Sequence, residues 1–288
     1  MNAVSDTSGK SDGKRARGRF ITLEGGEGTG KSTQIQRLVA RLSSIGIDTV
    51  ATREPGGSPA AEKLREIILS GFVEPLGAVA ETLAFSAARI DHLDNRIRPA
   101  LDEGCFVVCD RFMDSTRAYQ GALGDVDPAL IDKLEKAVVG DTKPDLTIIL
   151  DLPVEEGLAR AGARRGEGDA DRFESEEIEF HDAVRKAFLK IAASEPERCA
   201  RVYAGKSADE VEADIWKIVT ERLLDDKSVA ITDAPAGKPA AKPRARMPRG
   251  PNLRVVSGQS ADEAADKAAL ASGSPSAKKP GRKTLDSA

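Results

Sequence analysis

The chain has few residues suited to a disulfide framework, a membrane span or a histidine-based metal site. Its 288 residues include 3 cysteines and 2 histidines. Cys105, Cys109 and Cys199 form an odd set without paired spacing, which excludes a disulfide-stapled fold and fits a reducing compartment. Cys105 and Cys109 lie four apart in the apolar run Cys105-Phe106-Val107-Val108-Cys109, where a strand would turn both to one face as small core residues. No second Cys or His pair accompanies them, so they make no metal site. No apolar run approaches the roughly 18 residues that a membrane helix needs. The stretch Met1 to Arg17 is polar and lacks the apolar centre of a leader, so the expected location is cytoplasmic. His92 and His181 have no partner near them in sequence and are expected at surface or capping positions, not as catalytic bases.

What is present is unevenly distributed. Residues 227–288 hold 12 Lys+Arg against 5 Asp+Glu, leaving 31 against 42 in residues 1–226. A basic tail thus follows an acidic body, and neither reads as a dedicated nucleic-acid groove. Residues 1–18, rich in Ser, Gly, Asp, Lys and Arg, and residues 226–288, rich in Ala, Pro, Lys and Ser, bury too little apolar surface to offset chain entropy. Both are expected to be disordered, the tail as a solubilising extension.

Between them, residues 19–225 alternate apolar runs with amphipathic helical patterns. The runs Phe20–Leu23, Asp48–Thr52, Phe106–Cys109, Leu146–Leu150 and Arg201–Tyr203 read as strands, and Ala208–Leu224 as the last helix. Unbroken apolar strands alternating with helices imply an α/β domain with a parallel five-stranded sheet and helices on both faces. Ligands of such a sheet bind at the carboxyl ends of its strands.

At the first of those ends stands Gly25-Gly26-Glu27-Gly28-Thr29-Gly30-Lys31-Ser32, a full match to the pattern of Gly, four residues, Gly, Lys and Ser/Thr. Its glycines let backbone N–H groups approach phosphate oxygens, and the helix N-terminus that follows favours negative charge. Residues Gly25 to Thr33 are therefore the candidate nucleoside triphosphate site of a P-loop NTPase-type fold, with Lys31 reaching the β- and γ-phosphates and Ser32 ligating Mg²⁺. The third strand delivers Asp110-Arg111 at the same edge: a carboxylate for Mg²⁺ and a guanidinium for phosphate. Asp151 after Leu150 is equally placed by pattern, and the adjacent Arg111 decides for Asp110.

The second strand ends in Arg53-Glu54-Pro55-Gly56-Gly57, a shaped turn that either is only a turn or presents Arg53 and Glu54 to a substrate. Phe85 and Arg89 are four apart on one helical face, where they serve either as core or as a ring and a guanidinium that receive a base. Ser115, Thr116, Tyr119 and Gln120 form a polar cluster just past Asp110, with Asp114 or Ser115 as a candidate helix cap. Arg160, Arg164, Arg165 and Arg172 surround the glycine-containing stretch 166–171, the composition either of a solvated charged loop or of a mobile lid that closes on transferred phosphate.

Taken in order, the glycine loop with Leu23-Glu24 before it, the Arg-Glu-Pro-Gly-Gly turn, Phe85 to Arg89, Asp110-Arg111, Ser115 to Gly121 and Asp171-Arg172 resemble the bacterial thymidylate kinase family, over roughly residues 19–225. The resemblance implies phosphoryl transfer from ATP to dTMP with Mg²⁺, in a homodimer. It implies that Phe85 stacks on thymine and Arg89 hydrogen-bonds it. It further implies that Arg111 holds the acceptor phosphate, Tyr119 helps select the deoxyribose, and Glu27 lies toward the acceptor sugar. With Gly28 at the loop position where some members carry a catalytic Arg, the chain looks like the lid-arginine type, leaving Arg164, Arg165 and Arg172 as candidates. Phe112 stands where the family often has His or Tyr. The acceptor is already a dianion near neutral pH, so it needs no general base. One rival is a GTPase switch, suggested by Thr142-Lys143-Pro144-Asp145, although that motif precedes its strand instead of following it. The other is a kinase for dUMP or CMP.

Overall fold

In the computed structural model, which describes residues 16–122, 126–165, 173 and 176–224, the five apolar runs pair in parallel. The strands are β1 (Phe20–Glu24), β2 (Thr49–Arg53), β3 (Phe106–Asp110), β4 (Leu146–Asp151) and β5 (Cys199–Tyr203), in the order β2-β3-β1-β4-β5. The first four extend one residue further than their apolar runs. The ladder continues through polar residues at the carboxyl edge, setting Leu23 and Arg53 beside Asp110 and Asp151 beside Tyr203.

The helices are α1 (Lys31–Ser44), α2 (Pro59–Leu69), α3 (Ala78–His92), α4 (Arg98–Asp102), α5 (Met113–Ala122), α6 (Pro128–Val138), α7 (Val154–Arg165), α8 (Ile178–Ser194) and α9 (Ala208–Val219). Side chains of a strand alternate between its faces, and this period divides the core. On one face Ile21, Leu23, Val108, Ile148 and Leu150 meet Leu38 and Leu42 of α1 and Val211 and Ile215 of α9. On the other, Phe20, Val107 and Cys109 cluster with Leu93 and Ile97, which lie between α3 and α4, and with Leu101 of α4. Ile149 is covered there by Ala118 of α5 and by Val184 and Phe188 of α8. Cys105 packs against the same cluster as Cys109, just ahead of β3.

Three sequence expectations need correction. The pattern 208–224 is not one α-helix, since a π-helical turn, Thr220–Leu224, follows α9 and still buries Leu223. Asp114 is no helix cap. It is fully buried inside the first turn of α5, where Arg198 reaches it with Nη1 at 2.6 Å and Nη2 at 2.9 Å, a two-pronged ion pair that outcompetes a capping bond. Ser115 likewise turns its hydroxyl to Glu24, at 2.6 Å. His92 and His181 are both buried instead of lying on the surface. His92 is satisfied by Thr52 Oγ1 at 2.6 Å and Glu54 Oε1 at 3.0 Å, partners contributed from β2 and the turn after it. The expectations for segments 1–15 and 225–288, for residues 166–172 including Arg172, and for the Arg165 side chain lie outside the described residues.

Candidate active site

The carboxyl edge of the sheet opens into a cavity of about 380 Å³ whose walls come from the loop after β1, the turn after β2, α3, and the β3–α5 junction. The glycine loop crosses one end. Gly28 has φ 66°, and a Cβ there would stand 1.9 Å from the Gly157 carbonyl oxygen of α7, so a larger residue cannot fit without moving that helix. Gly30, at φ 87°, turns the chain into α1. Lys31 is buried and folds onto its own loop, donating from Nζ to the Gly25 and Gly26 carbonyls at 3.0 and 2.8 Å. Burial and the like charge of Arg111 lower its pKa to about 8, against the pull of Glu27 and Asp110. Ser32 Oγ donates to Asp110 Oδ2 at 2.9 Å, and Asp110 Oδ1 is buried with no hydrogen-bond partner among the described residues.

A hydroxyl beside a carboxylate with one open oxygen is a hard-oxygen pair suited to Mg²⁺. Asp151 is committed elsewhere: Arg185 Nε at 2.7 Å and Arg201 Nη2 at 2.6 Å hold it in the structural framework. Asp145, of the guanine-like motif, accepts from the Phe20 amide at 2.7 Å at the opposite end of the sheet from the glycine loop.

Arg111 lines the cavity and reaches onto the loop. Its backbone is left-handed, φ 65°, a costly conformation for a residue with a Cβ. Three bonds hold it: the Arg111 amide donates to Leu23 O at 3.0 Å, the next amide, of Phe112, to Glu24 Oε1 at 2.8 Å, and Nη1 to Gly25 O at 3.1 Å. Nη2 pairs with Glu27, which also accepts from the Tyr119 hydroxyl at 3.1 Å. Burial would raise the Glu27 carboxyl, but Arg111, Lys31 and Tyr119 together hold it at about 2. Burial opposes the Arg111 charge too, and its acidic and phenolic neighbours nevertheless shift that guanidinium upward. Glu24, three residues before Glu27, behaves in the opposite sense. Burial and the Asp114 charge raise it to about 7 despite its bonds from Ser115 and Phe112.

The turn after β2 is placed differently from the sequence expectation. Arg53 and Pro55 line the cavity, with Arg53 tied to Glu62 at 3.0 Å. Glu54 also lines it but is buried, and both its oxygens point inward: Oε2 accepts Arg89 Nε at 2.7 Å and Oε1 meets His92. A ring that gives its Nδ1 proton to Glu54 and accepts the Thr52 hydroxyl at Nε2 satisfies all three groups. Glu54 therefore anchors Arg89. The Arg89 Nη2 group donates to Phe112 O and to Thr116 Oγ1, each at 3.1 Å. Phe85, half-buried one turn earlier on α3, faces the same cavity near Phe173, with ring centroids 6.2 Å apart.

Ser115, Thr116, Tyr119 and Gln120 all line the cavity from α5, as their clustering suggested, and Arg164 reaches it from the end of α7. Gly25 and Gly26 contribute carbonyls beneath the loop, and Thr33 is exposed outside the lining. Arg160 instead ties α7 to the Ala204 carbonyl at 2.9 Å. Sequence reading passed over Arg65, Leu69, Phe112 and Phe173 as lining residues, and His92 and Glu81 as supports. The i, i+4 spacing that sets Arg65 and Leu69 on one helical face was the available signal for those two. The site thus has the glycine loop at one end and a cationic group at Arg111, which a ring and polar side chains adjoin.

A family model described as thymidylate kinase matches residues 23–215. The thymidylate kinase of Bradyrhizobium diazoefficiens is 58% identical over 208 residues, covering 72% of this chain and 91% of that protein. That of Nitrobacter hamburgensis is 54% identical over 219 residues, covering 76% and 95%. Among solved structures, the crystal structure of thymidylate kinase from Ehrlichia chaffeensis superposes with a TM-score of 0.58 at 33% identity, covering 70% of this chain and 99% of that one.

Proposed function

This chain belongs to the thymidylate kinase family and phosphorylates dTMP with ATP to give dTDP and ADP; we propose that Lys31 and Arg111 hold the two phosphates between which the group moves. The observation that carries this division is that both line one cavity and donate to one carbonyl, that of Gly25, Lys31 from the glycine loop and Arg111 from the β3–α5 junction beside the polar wall of α5.

ATP binds along the loop from Gly25 to Thr33, its phosphates taking the first-turn amides of α1 and drawing Lys31 away from the Gly25 and Gly26 carbonyls. Ser32 and Asp110 would hold Mg²⁺, which when bound would neutralise charge on the phosphates. dTMP occupies the other end. Phe85 stacks on the base, Arg89 donates to it, and Tyr119 with Glu27 closes around the sugar. Ser115 and Thr116 line this wall, Gln120 completes it, and Arg111 grips the phosphate. Arg53 and Pro55 border the acceptor, and Glu54 acts through Arg89. The acceptor phosphate is its own nucleophile, so what the chain supplies is alignment and charge. Arg164, Arg165 and Arg172 are the proposed lid cations that stabilise the transferring group.

The α2–α3 face leaves Ile67, Val79, Leu83 and Ile90 exposed, which supports the proposal of a homodimer through this surface. A cytoplasmic location is proposed from three free cysteines and from the finding that, among the described residues, no helix is long and apolar enough to cross a membrane. The test of the function is an acceptor panel with ATP and Mg²⁺. ADP release dependent on dTMP and weaker with dUMP and CMP supports the reading, whereas tight GTP binding without an acceptor supports the switch.

A further inference from the structure

One face of α3 carries Glu81, Phe85 and Arg89 at successive four-residue steps. Phe85 and Arg89 line the cavity, while Glu81 does not. It is buried behind Gln120 of α5, whose Nε2 donates to Glu81 Oε1 at 2.8 Å. A carboxylate can only accept, so the amide nitrogen of Gln120 must be the atom turned toward it. Gln120 is itself a lining residue, which leaves its carbonyl oxygen as the polar atom available to the cavity. On the same wall Arg89 spends Nε on Glu54 and Nη2 on Phe112 O and Thr116 Oγ1. Its remaining Nη1 group can only donate.

We propose that Glu81 is a positioning residue: by accepting from Gln120 Nε2 it holds that amide with its oxygen toward the acceptor base. This rests on the family reading and deepens it. The donor of Arg89 and the acceptor of Gln120 complement the O4 carbonyl and N3–H of thymine or uracil. Cytosine offers the reverse, an amino group and a bare N3 lone pair, and would leave Arg89 and Gln120 each facing a like partner. Such a mismatch in a buried site discriminates far more strongly than shape does. The 5-methyl group is untouched by this pair, so Glu81 has no bearing on the choice between dTMP and dUMP.

The experiment measures kcat/KM for dTMP and dCMP, and inhibition of dTMP turnover by dCMP, in the full chain and in Glu81→Gln. A carboxamide at 81 can donate as well as accept, which frees Gln120 to turn over. The expected result is a loss of about tenfold toward dTMP with no loss toward dCMP, narrowing their ratio about tenfold. Parallel loss on both acceptors, or an unchanged ratio, overturns the proposal. Gln120→Leu removes the oxygen while leaving Glu81 in place, and should narrow the ratio similarly. Adding Glu81→Gln to it should narrow the ratio no further. If Glu81→Gln does not fold, Gln120→Leu decides alone, and parallel loss there overturns the proposal. Failure of the unaltered protein to phosphorylate dTMP would instead remove the family reading, and this inference with it.

Discussion

Lys31 and Arg111 share one acceptor: the carbonyl oxygen of Gly25 takes a hydrogen bond from Lys31 Nζ at 3.0 Å and from Arg111 Nη1 at 3.1 Å. Two buried cations on one oxygen repel each other, and the repulsion is part of why Lys31 sits at about 8. Glu27, paired with Arg111, offsets some of that repulsion.

Lys31 is therefore a residue that costs stability when the site is empty. Its pKa is about 8 in the folded chain against 10.5 ordinarily, so between those values the unfolded chain holds a proton the folded one lacks. Over that window the contribution of Lys31 makes stability rise with pH. Lys31→Met should raise the melting temperature of the ligand-free protein at pH 7 by roughly 3–6 °C while cutting kcat by at least about a hundredfold. ATP binding should also draw a proton onto Lys31 near pH 8, read by calorimetry in buffers of different ionisation enthalpy. No proton uptake and a lowered melting temperature would count against this.

Asp110→Asn should raise the Mg²⁺ concentration for half-maximal rate by about tenfold or more, with KM for dTMP changed by less than about threefold. Asp151→Asn should leave the Mg²⁺ dependence unaltered, since Arg185 and Arg201 occupy that carboxylate. Titration of activity with Mg²⁺ in EDTA-stripped protein separates the two.

Glu24 and Glu27 should pull acid stability in opposite directions. With its folded pKa at about 7, Glu24 holds a proton in the folded chain that the unfolded chain has lost above 4.5, so its contribution falls as pH rises from 4.5 to 7. Glu27, at about 2, contributes stability above 4.5 that is lost as pH drops toward 2. Melting temperatures across this range should show Glu24→Gln gaining on the unaltered protein as pH rises from about 4.5 to about 7.5. A difference independent of pH would contradict the assignment.

Much of the site was legible because its chemistry is contiguous in sequence. The glycine loop, Asp110-Arg111 and the α5 cluster each lie on one strand end or helix face, and the folded chain brings them to one cavity. What was hidden depends on partners far away in the chain. His92 reads as a solitary histidine until β2 sets Thr52 and Glu54 beside it, and Glu54 reads as displayed until α3 supplies Arg89. Asp114 reads as a cap because Arg198, 84 residues later, gives no local sign of reaching it. The sheet was legible from apolar runs alone, but its strand ends were not, since ladder pairing there continues into charged residues.

The exposed apolar residues of α2 and α3 predict self-association. Sedimentation should give twice the chain mass, and Leu83→Glu with Ile90→Glu should give the monomer at micromolar concentration. A monomeric unaltered protein would remove the proposed dimer.

The central claim is that Lys31 serves the donor and Arg111 the acceptor, and the most direct measurement is calorimetric binding of each nucleotide to the two variants. Arg111→Ala should lose at least about tenfold in affinity for dTMP while keeping its affinity for ATP, and Lys31→Met should show the reverse. Equal losses of both nucleotides in each variant, or retention of dTMP affinity without Arg111, would contradict the account.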